Sequence, residues 1–263
     1  MLEGLRAVLA SLDRPAVAVS GGVDSVTLAA VAAEVCADVV LVHAASPAVP
    51  GEATERVKHL AAARGWRLEV LDAGEFADPR YRENPVNRCF FCKSNLYGTI
   101  AGRTDRQILS GANVDDLGEY RPGLEAARRH GVRHPYIEAG IDKRGIRAIA
   151  RLMGLDDVAE LPASPCLSSR VETGIRIEAP TLAFVHDVER RIADRFKPAT
   201  VRCRIRAGAI VIELDAATLD ALSDPARATL RASVESLPNR PAHLPVRMAV
   251  YRNGSAFLTG GPE

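Results

Sequence analysis

Apolar and polar positions follow two alternating patterns along the first two thirds of the chain. Short apolar runs are typical of buried strands, and the longer Ala-rich or amphipathic stretches between them are typical of helices. Strand–helix–strand alternation predicts an α/β, Rossmann-like parallel sheet with helices on both faces. The predicted strands span residues 16–19, 39–45, 67–72 and 107–111, and helices are predicted at 26–35 and 52–64.

The order of elements changes after Pro180. A helical pattern is followed by two strands joined by a short turn at Ala207 and Gly208, by a helical stretch with a break near Pro225, and by a last strand. This order predicts a small C-terminal α+β domain. We place the boundary near residue 178, which divides the chain into domains 1–178 and 179–263. The predicted elements span residues 181–196, 201–206, 209–214, 216–237 and 246–251.

A glycine-rich loop directly follows the first predicted strand and opens the first helix of the sheet. Two glycines let the backbone turn sharply, and free N–H groups at a helix start attract an anion. The serine hydroxyls add donors, and the carboxylate of Asp24 predicts a Mg²⁺ partner. The loop therefore predicts a phosphate site that is neither a Walker A loop nor a dinucleotide fingerprint; a simple tight turn is the other interpretation. Its residues are Ser20, Gly21, Gly22, Val23, Asp24 and Ser25.

An acidic loop, GANVDD, follows the fourth predicted strand. Paired carboxylates at Asp115 and Asp116, at the carboxyl end of a strand, suit a nucleotide or a Mg²⁺ ion. They are equally typical of a helix N-cap. Arg121 follows, and it could hold a phosphate bidentately or lie on the surface.

Three cysteines form a candidate metal site. Cys89 and Cys92 make a CxxC flanked by the cations Arg88 and Lys93, which favour thiolates. With Cys166, three thiolates could hold a 4Fe-4S cluster and leave one iron open. Zinc with a fourth ligand, and cysteines that are simply buried, are the alternatives.

We interpret the remaining two cysteines as packing residues. Cys36 lies in an apolar stretch, and Cys203 lies in a strand whose alternation places three arginines on the opposite face. We expect that arginine face to bind a ligand. The arginines are Arg202, Arg204 and Arg206.

Composition narrows the possible partners. Of 263 residues, 34 are Lys or Arg and 33 are Asp or Glu, a net charge of +1 that argues against a dedicated nucleic-acid binder. No apolar run is long enough for a membrane helix, and an odd number of cysteines favours a reduced, cytoplasmic setting over disulfides. We therefore expect a small-molecule substrate, with no nucleic acid and no membrane.

The motifs occur together in one order, SGGVDS, NRCFFCK, GANVDDLGEYRPG, ASPCLSSR and VRCR, over nearly the whole chain. This combination resembles the LarE family of the PP-loop ATP pyrophosphatases, adenine-nucleotide-hydrolase-like proteins. Those enzymes are ATP-dependent sacrificial sulfur transferases that finish the nickel-pincer nucleotide cofactor of lactate racemase. The PCLSSR motif is the most specific part of the resemblance.

The resemblance implies a substrate, a chemistry and an assembly. ATP would adenylate a carboxylate of pyridinium-3,5-biscarboxylic acid mononucleotide, and sulfur would then displace AMP. In single-cysteine members the cysteine at the position of Cys166 gives up its own sulfur; Cys89 and Cys92 make this chain similar to the three-cysteine type, in which a 4Fe-4S cluster supplies sulfide. The resemblance also implies a homo-oligomer.

Four further residues receive roles from the resemblance. Arg170, Arg202 and Arg204 would hold the substrate phosphate or carboxylates. Glu189 matches an acidic residue ahead of the arginine strand, although an exposed helical glutamate is the alternative. Together with Cys166 and Asp24, Arg170 and Glu189 are our candidate catalytic residues.

Two other functions fit parts of the pattern. A PP-loop tRNA thiolase also combines ATP with cysteines, but it needs a basic surface for tRNA. A non-catalytic nucleotide or redox sensor would keep the glycine-rich loop without needing PCLSSR or the arginine strand.

Overall fold

The computed structural model describes residues 1–118, 121–163 and 165–252 and divides into two compact units. The first unit comprises Met1–Asp78 and Asn87–Ser164; the second comprises Pro79–Val86 and Pro165–Glu263. The second unit thus begins ahead of the predicted boundary at 178 and includes a short earlier segment. Parts of three predicted regions lie outside the described residues: Glu119 and Tyr120 of the acidic motif, Ser164 of ASPCLSSR, and 253–263 of the C-terminal domain.

A parallel four-stranded sheet forms the centre of the first unit, as predicted, in the order β3-β2-β1-β4. Each strand pairs in parallel with its neighbours, and the register joins Val17 to Leu41 and to Leu109. This is the Rossmann-like α/β arrangement. The strands are β1 (Pro15–Ala18), β2 (Val40–Ala44), β3 (Leu68–Leu71) and β4 (Gln107–Leu109).

Helices cover both faces of this sheet because successive strand residues point to opposite sides. Val17 and Leu41 pack with the apolar faces of α1, α2 and α8, whereas Ala16 and Val42 pack with α5 and α6. Gly65 adopts a left-handed conformation (φ 67°) and ends α3 as predicted. The helices are α1 (Leu2–Ala10), α2 (Val23–Val35), α3 (Gly51–Arg64), α5 (Arg88–Ala101), α6 (Pro122–Arg129), α7 (Pro135–Glu138), α8 (Lys143–Leu152) and α9 (Asp156–Ala159).

The second unit combines a three-stranded sheet with helices. The predicted hairpin is present: β5 and β6 pair antiparallel, and β7 pairs parallel to β6. The predicted helical break is also present, since the long stretch divides into two helices around Leu222 and Ser223. The elements are α4 (Pro79–Arg82), α10 (Ala179–Phe196), β5 (Val201–Arg206), β6 (Ala209–Leu214), α11 (Ala216–Ala221), α12 (Asp224–Glu235) and β7 (Val246–Val250).

The segment 79–86 is fastened to the second unit by polar contacts that the sequence pattern does not reveal. The hydroxyl of Tyr81 lies 2.6 Å from that of Ser168, and Arg82 forms an ion pair with Glu178 at 2.6 Å. Asn84 is fully buried with φ 54°, and its amide donates to carbonyls at 171, 172 and 175. These bonds explain why a segment distant in sequence belongs to this unit.

Among the described residues, no helix has both the length and the apolar character needed to cross a membrane.

Candidate functional site

The chain reverses direction in the first sheet between β1 and β4. From β1 it proceeds outward to β2 and β3, and it then returns to place β4 on the other side of β1. Ligands of open parallel sheets bind outside the carboxyl ends of the strands at such a point. The glycine-rich loop after β1 and the segment after β4 both lie at this edge. Gly111 brings them together, since a Cβ there would lie 3.0 Å from the backbone of Asp24 and Ser25.

The glycine-rich loop has a shape that its first glycine permits. Gly21 has φ 85°, and a Cβ there would lie 2.7 Å from the carbonyl oxygen of Ala53 in α3. Both the left-handed backbone and the close approach favour glycine. Arg56 of the same helix donates to the carbonyl of Gly21 at 3.0 Å. The loop is therefore held against α3 by a close backbone contact and a hydrogen bond, both at Gly21.

Serine hydroxyls close the loop internally. The backbone N–H of Ser20 donates to Oγ of Ser25 at 3.0 Å, and that hydroxyl donates to the carbonyl of Gly22 at 3.2 Å. Helix α2 begins immediately afterwards at Val23, and the first N–H groups of a helix have no acceptor within it. The loop and the helix start thus present N–H groups in an arrangement that suits an anion, and we call this arrangement the anion cradle; phosphate binding there stays a prediction.

Asp24 makes contacts that the sequence pattern did not suggest. Its Oδ2 accepts a hydrogen bond from Nζ of Lys143 at 2.5 Å, and its carbonyl accepts one from the hydroxyl of Tyr136 at 2.9 Å. Its Oδ1 is buried and has no hydrogen-bond partner. Burial, together with the charge of Asp24, raises the pKa of Tyr136 well above its ordinary value, so that phenol remains a neutral donor. A buried carboxylate oxygen without a donor suits a cation such as Mg²⁺.

The acidic loop after β4 folds as a 3-10 turn, Val114–Gly118, whose carboxylates hold the backbone. Asp115 accepts from the N–H of Lys143 at 3.0 Å, and Asp116 accepts from that of Asn113 at 3.0 Å. Asp116 also forms an ion pair with Arg121 at 3.1 Å. These contacts make the two carboxylates and Arg121 parts of a structured turn. A direct contact between any of them and a nucleotide stays a prediction.

The candidate metal ligands are divided between the two units. Cys89 and Cys92 are half-buried in the first turns of α5, three positions apart and hence on one face of the helix. Cys166 is exposed and precedes a 3-10 turn in the second unit. Within each unit taken alone, the described residues include no group of three metal-binding side chains. Thiolates are suitable donors for iron, and the three-cysteine cluster stays a prediction.

The CxxC helix packs closely against α6. A Cβ on Gly123 would lie 3.2 Å from Cγ of Lys93, and the guanidinium of Arg129 lies 4.7 Å from the ring centroid of Phe90. Arg88, directly before Cys89, is 2% exposed. Arg88 and Lys93 thus share the first turns of this helix with the two cysteines, and thiolate character at Cys89 and Cys92 stays a prediction.

Arg170 lies in a buried ion pair in the second unit. Its Nε and Nη2 donate to both carboxylate oxygens of Glu189 at 2.9 and 3.0 Å, and its Nη1 donates to the carbonyl of Pro165 at 2.8 Å and more weakly to that of Cys166 at 3.4 Å. Glu189 is buried, so the exposed alternative considered for it is wrong, and it also accepts from the N–H of Cys203 at 2.9 Å. This geometry holds the backbone on both sides of Cys166. It favours a positioning role for the pair over direct contact with a substrate.

The arginines of β5 have different environments. Arg204 is buried and donates to Glu213 at 3.0 Å and to the carbonyl of Ser169 at 2.9 Å, and Arg206 donates to the same glutamate at 3.3 Å. Arg202 lies 5.9 Å from the ring centroid of Tyr251, and burial lowers its pKa. Ligand binding by Arg202 and Arg204 stays a prediction, and Glu213 is a buried charge that the sequence pattern does not reveal.

The two cysteines that we expected to be packing residues are buried, and so is His43. Cys36 and Cys203 are buried, and burial raises the pKa of both thiols. His43 is fully buried, with Nδ1 2.8 Å from the carbonyl oxygen of Val19 and Nε2 2.9 Å from the hydroxyl of Thr54. This imidazole of β2 therefore joins the residue after β1 to α3.

The chain is 40% identical over 193 residues to an uncharacterised protein of Synechocystis, slr1717, and the match covers 72% of each protein. The chain therefore belongs to the family of that protein. It is also 29% identical over 221 residues to the pyridinium-3,5-bisthiocarboxylic acid mononucleotide synthase of Lactiplantibacillus plantarum, covering 82% of this chain and 79% of the synthase. This second similarity supports the predicted relationship to the LarE sulfur transferases.

An uncharacterised protein of Methanocaldococcus jannaschii is 24% identical over 203 residues, which cover 76% of this chain and 77% of that protein. No protein-family model matches the chain.

Proposed function

We propose that the chain is an ATP-dependent sulfur transferase of nickel-pincer nucleotide biosynthesis. Its substrate would be pyridinium-3,5-biscarboxylic acid mononucleotide, and its products would be a thiocarboxylate, AMP and pyrophosphate. The observation that carries the proposal is the preorganised glycine-rich loop at the strand reversal, in a chain that is similar to a pyridinium-3,5-bisthiocarboxylic acid mononucleotide synthase. A homo-oligomer in the cytoplasm remains part of this proposal.

Adenylation comes first in this chemistry because a carboxylate oxygen is a poor leaving group. The carboxylate attacks the α-phosphorus of ATP, an O–P bond forms, and the bond to pyrophosphate breaks. The N–H groups at the start of α2 and the hydroxyl of Ser20 would hold the departing pyrophosphate, while the hydroxyl of Ser25 keeps the loop closed through the carbonyl of Gly22. A Mg²⁺ ion, for which the buried Oδ1 of Asp24 is a suitable ligand, would offset phosphate charge.

Sulfur transfer completes the reaction. A sulfur nucleophile attacks the carbonyl carbon of the acyl adenylate, a C–S bond forms, and the C–O bond to AMP breaks. A 4Fe-4S cluster held by Cys89, Cys92 and Cys166 would supply sulfide as that nucleophile. Without the cluster, Cys166 itself would attack; loss of its Cα proton and breakage of its Cβ–S bond would then leave dehydroalanine.

Cys166 needs a defined position in either version. The Arg170–Glu189 pair supports this, since Arg170 binds the carbonyls of Pro165 and Cys166 while Glu189 binds the backbone of β5. The exposure of Cys166 and the hydrogen bonds that hold its backbone therefore both support a reactive thiol on a fixed turn.

Exchange between ATP and radiolabelled pyrophosphate tests the adenylation step. We expect exchange that requires the pyridinium substrate and is lost in Asp24→Ala. Asp13→Ala, which removes an exposed carboxylate elsewhere in the same unit, is the matched control and should exchange normally. Exchange without any substrate dependence, or unchanged exchange in Asp24→Ala, would contradict the proposal.

Anaerobic purification tests the sulfur source. We expect brown protein that loses its colour in Cys89→Ser and keeps it in Cys36→Ser, whose thiol is buried in the core. Colourless protein after iron–sulfur reconstitution contradicts the cluster. Mass spectrometry after turnover then separates the two chemistries, because the sacrificial version removes one sulfur from Cys166. Salt-sensitive tRNA binding would favour the thiolase alternative instead.

A further inference from the structure

The ion pair between Lys143 and Asp24 leaves both side chains able to form further polar contacts. The ammonium has three N–H groups and donates one of them to Oδ2 of Asp24. Oδ1 of the same carboxylate is buried without a hydrogen-bond partner. The side chain of Lys143 keeps 38% of its surface exposed. A buried carboxylate oxygen without a donor is costly, so the ion pair satisfies only one of the two oxygens of Asp24.

The backbone of Lys143 is fixed from three directions. Its N–H donates to Asp115 at 3.0 Å, the carbonyl of Ile141 accepts from Val114 at 3.2 Å, and Asp142 caps α8 by accepting from Gly145 at 2.7 Å. The turn that carries Lys143 is therefore joined to the segment after β4. The acidic loop thus holds the lysine in place at the strand reversal.

Lys143 also lies next to the anion cradle. Asp24 is the second residue of α2, so an ammonium bonded to it stands beside the first N–H groups of that helix. A phosphate held there would lie within reach of a lysine side chain, whose flexible stem adjusts over several ångströms. Besides these N–H groups, the site contains the carboxylate of Asp24, which repels phosphate. Lys143 offsets the charge of that carboxylate.

We infer that Lys143 is a phosphate-binding residue of the nucleotide site. In this assignment, which rests on the proposed function, the ammonium is divided between Asp24 and an oxygen of the phosphate chain when a nucleotide is bound. Asp24 then keeps Oδ1 for the metal. Asp115 acts through Lys143 as a positioning residue.

Calorimetric binding of ATP and adenosine to the full chain tests the inference. We expect Lys143→Met to weaken ATP binding about 10- to 100-fold, the effect of one charge-assisted hydrogen bond, and to leave adenosine binding unchanged. The matched control is Arg144→Met, which removes an exposed cation from the adjacent position and should leave both affinities unchanged. Equal losses for ATP and adenosine would show a structural role and overturn the inference, as would unchanged ATP binding.

A double-variant comparison separates contact from simple charge balance. In magnesium-free buffer, Lys143→Met is compared with wild type and, separately, added to Asp24→Asn. A lysine that contacts phosphate weakens ATP binding in both backgrounds, whereas a lysine that only neutralises Asp24 has no effect in the second, which would overturn the inference. Failure of wild type to bind ATP at all refutes the proposed function instead.

Discussion

The buried pair between Arg170 and Glu189 allows a quantitative test of how the second unit holds Cys166. The two side chains are 4% and 11% exposed and share two hydrogen bonds. Removing one partner of such a pair leaves an uncompensated buried charge, at a cost of about 3–5 kcal/mol. Glu189→Ala also leaves the N–H of Cys203 without its acceptor. We expect each of Glu189→Ala and Arg170→Met to lower the free energy of unfolding by that amount.

Urea denaturation of the singles and the double variant measures the effect. The double should cost less than the sum of the singles by at least about 1 kcal/mol, because it leaves no orphaned charge. Arg191→Ala, which breaks an exposed pair with Asp187 on the same helix, should cost under about 1 kcal/mol. Additive single costs, or a loss under about 1 kcal/mol for Glu189→Ala, would refute the reasoning.

Trp66 fluorescence and circular dichroism together show which unit is destabilised by these substitutions. Trp66 is the single tryptophan of the chain and lies in the first unit, whereas circular dichroism reports helices of both units. A shift seen by circular dichroism without a shift in Trp66 fluorescence would locate the damage in the second unit. Coincident shifts would show that the two units unfold together.

Three further predictions concern other parts of the chain. Gly21→Ala should destabilise the protein by about 1–2 kcal/mol or more and weaken ATP binding, because Gly21 combines a left-handed backbone with a 2.7 Å approach to the carbonyl oxygen of Ala53. Thermal unfolding and calorimetric ATP binding measure the two effects. The control Gly4→Ala in α1, which has open space around it, should be neutral or stabilising in both assays. Asn84→Gly keeps the backbone conformation but removes three hydrogen bonds, so urea denaturation should show a loss of about 1–3 kcal/mol, and no loss would contradict the fastening of segment 79–86. Burial lowers the pKa of His43 below its unfolded value of about 6.5, so stability is full above that pH and falls on acidification as the unfolded chain takes the proton; His43→Gln should reduce the difference between unfolding at pH 7 and pH 5, and an unchanged difference would exclude this group.

The sequence predicted those features that depend on local pattern. The parallel strands, the end of α3 at Gly65 and the hairpin after Val201 all follow from apolar runs, a left-handed glycine and a short turn, and each is present within a few residues. Such signals are contained within one element and need no knowledge of the rest of the fold. The glycine-rich loop was found for the same reason, since its motif includes both the strand end and the helix start.

Features that depend on distant contacts could not be predicted in this way. Lys143 lies 119 residues from Asp24, and nothing in its local sequence distinguishes it from the other surface cations. Alternation placed Arg204 on one face of β5 but gave no indication that Glu213 would neutralise it. The residues 79–86 likewise carry an ordinary loop pattern, and the contacts of Tyr81, Arg82 and Asn84 with distant residues show which unit they join.

The unequal burial of the five cysteines has a practical consequence for chemistry performed on the intact chain. Cys36 and Cys203 are sealed in the two cores with raised pKa values, so iodoacetamide should modify them only after denaturation. Alkylation of the folded chain is then confined to Cys89, Cys92 and Cys166. Any ligand that occupies those three sulfurs would lower the number of carbamidomethyl groups found by mass, and the two sealed thiols would serve as an internal standard.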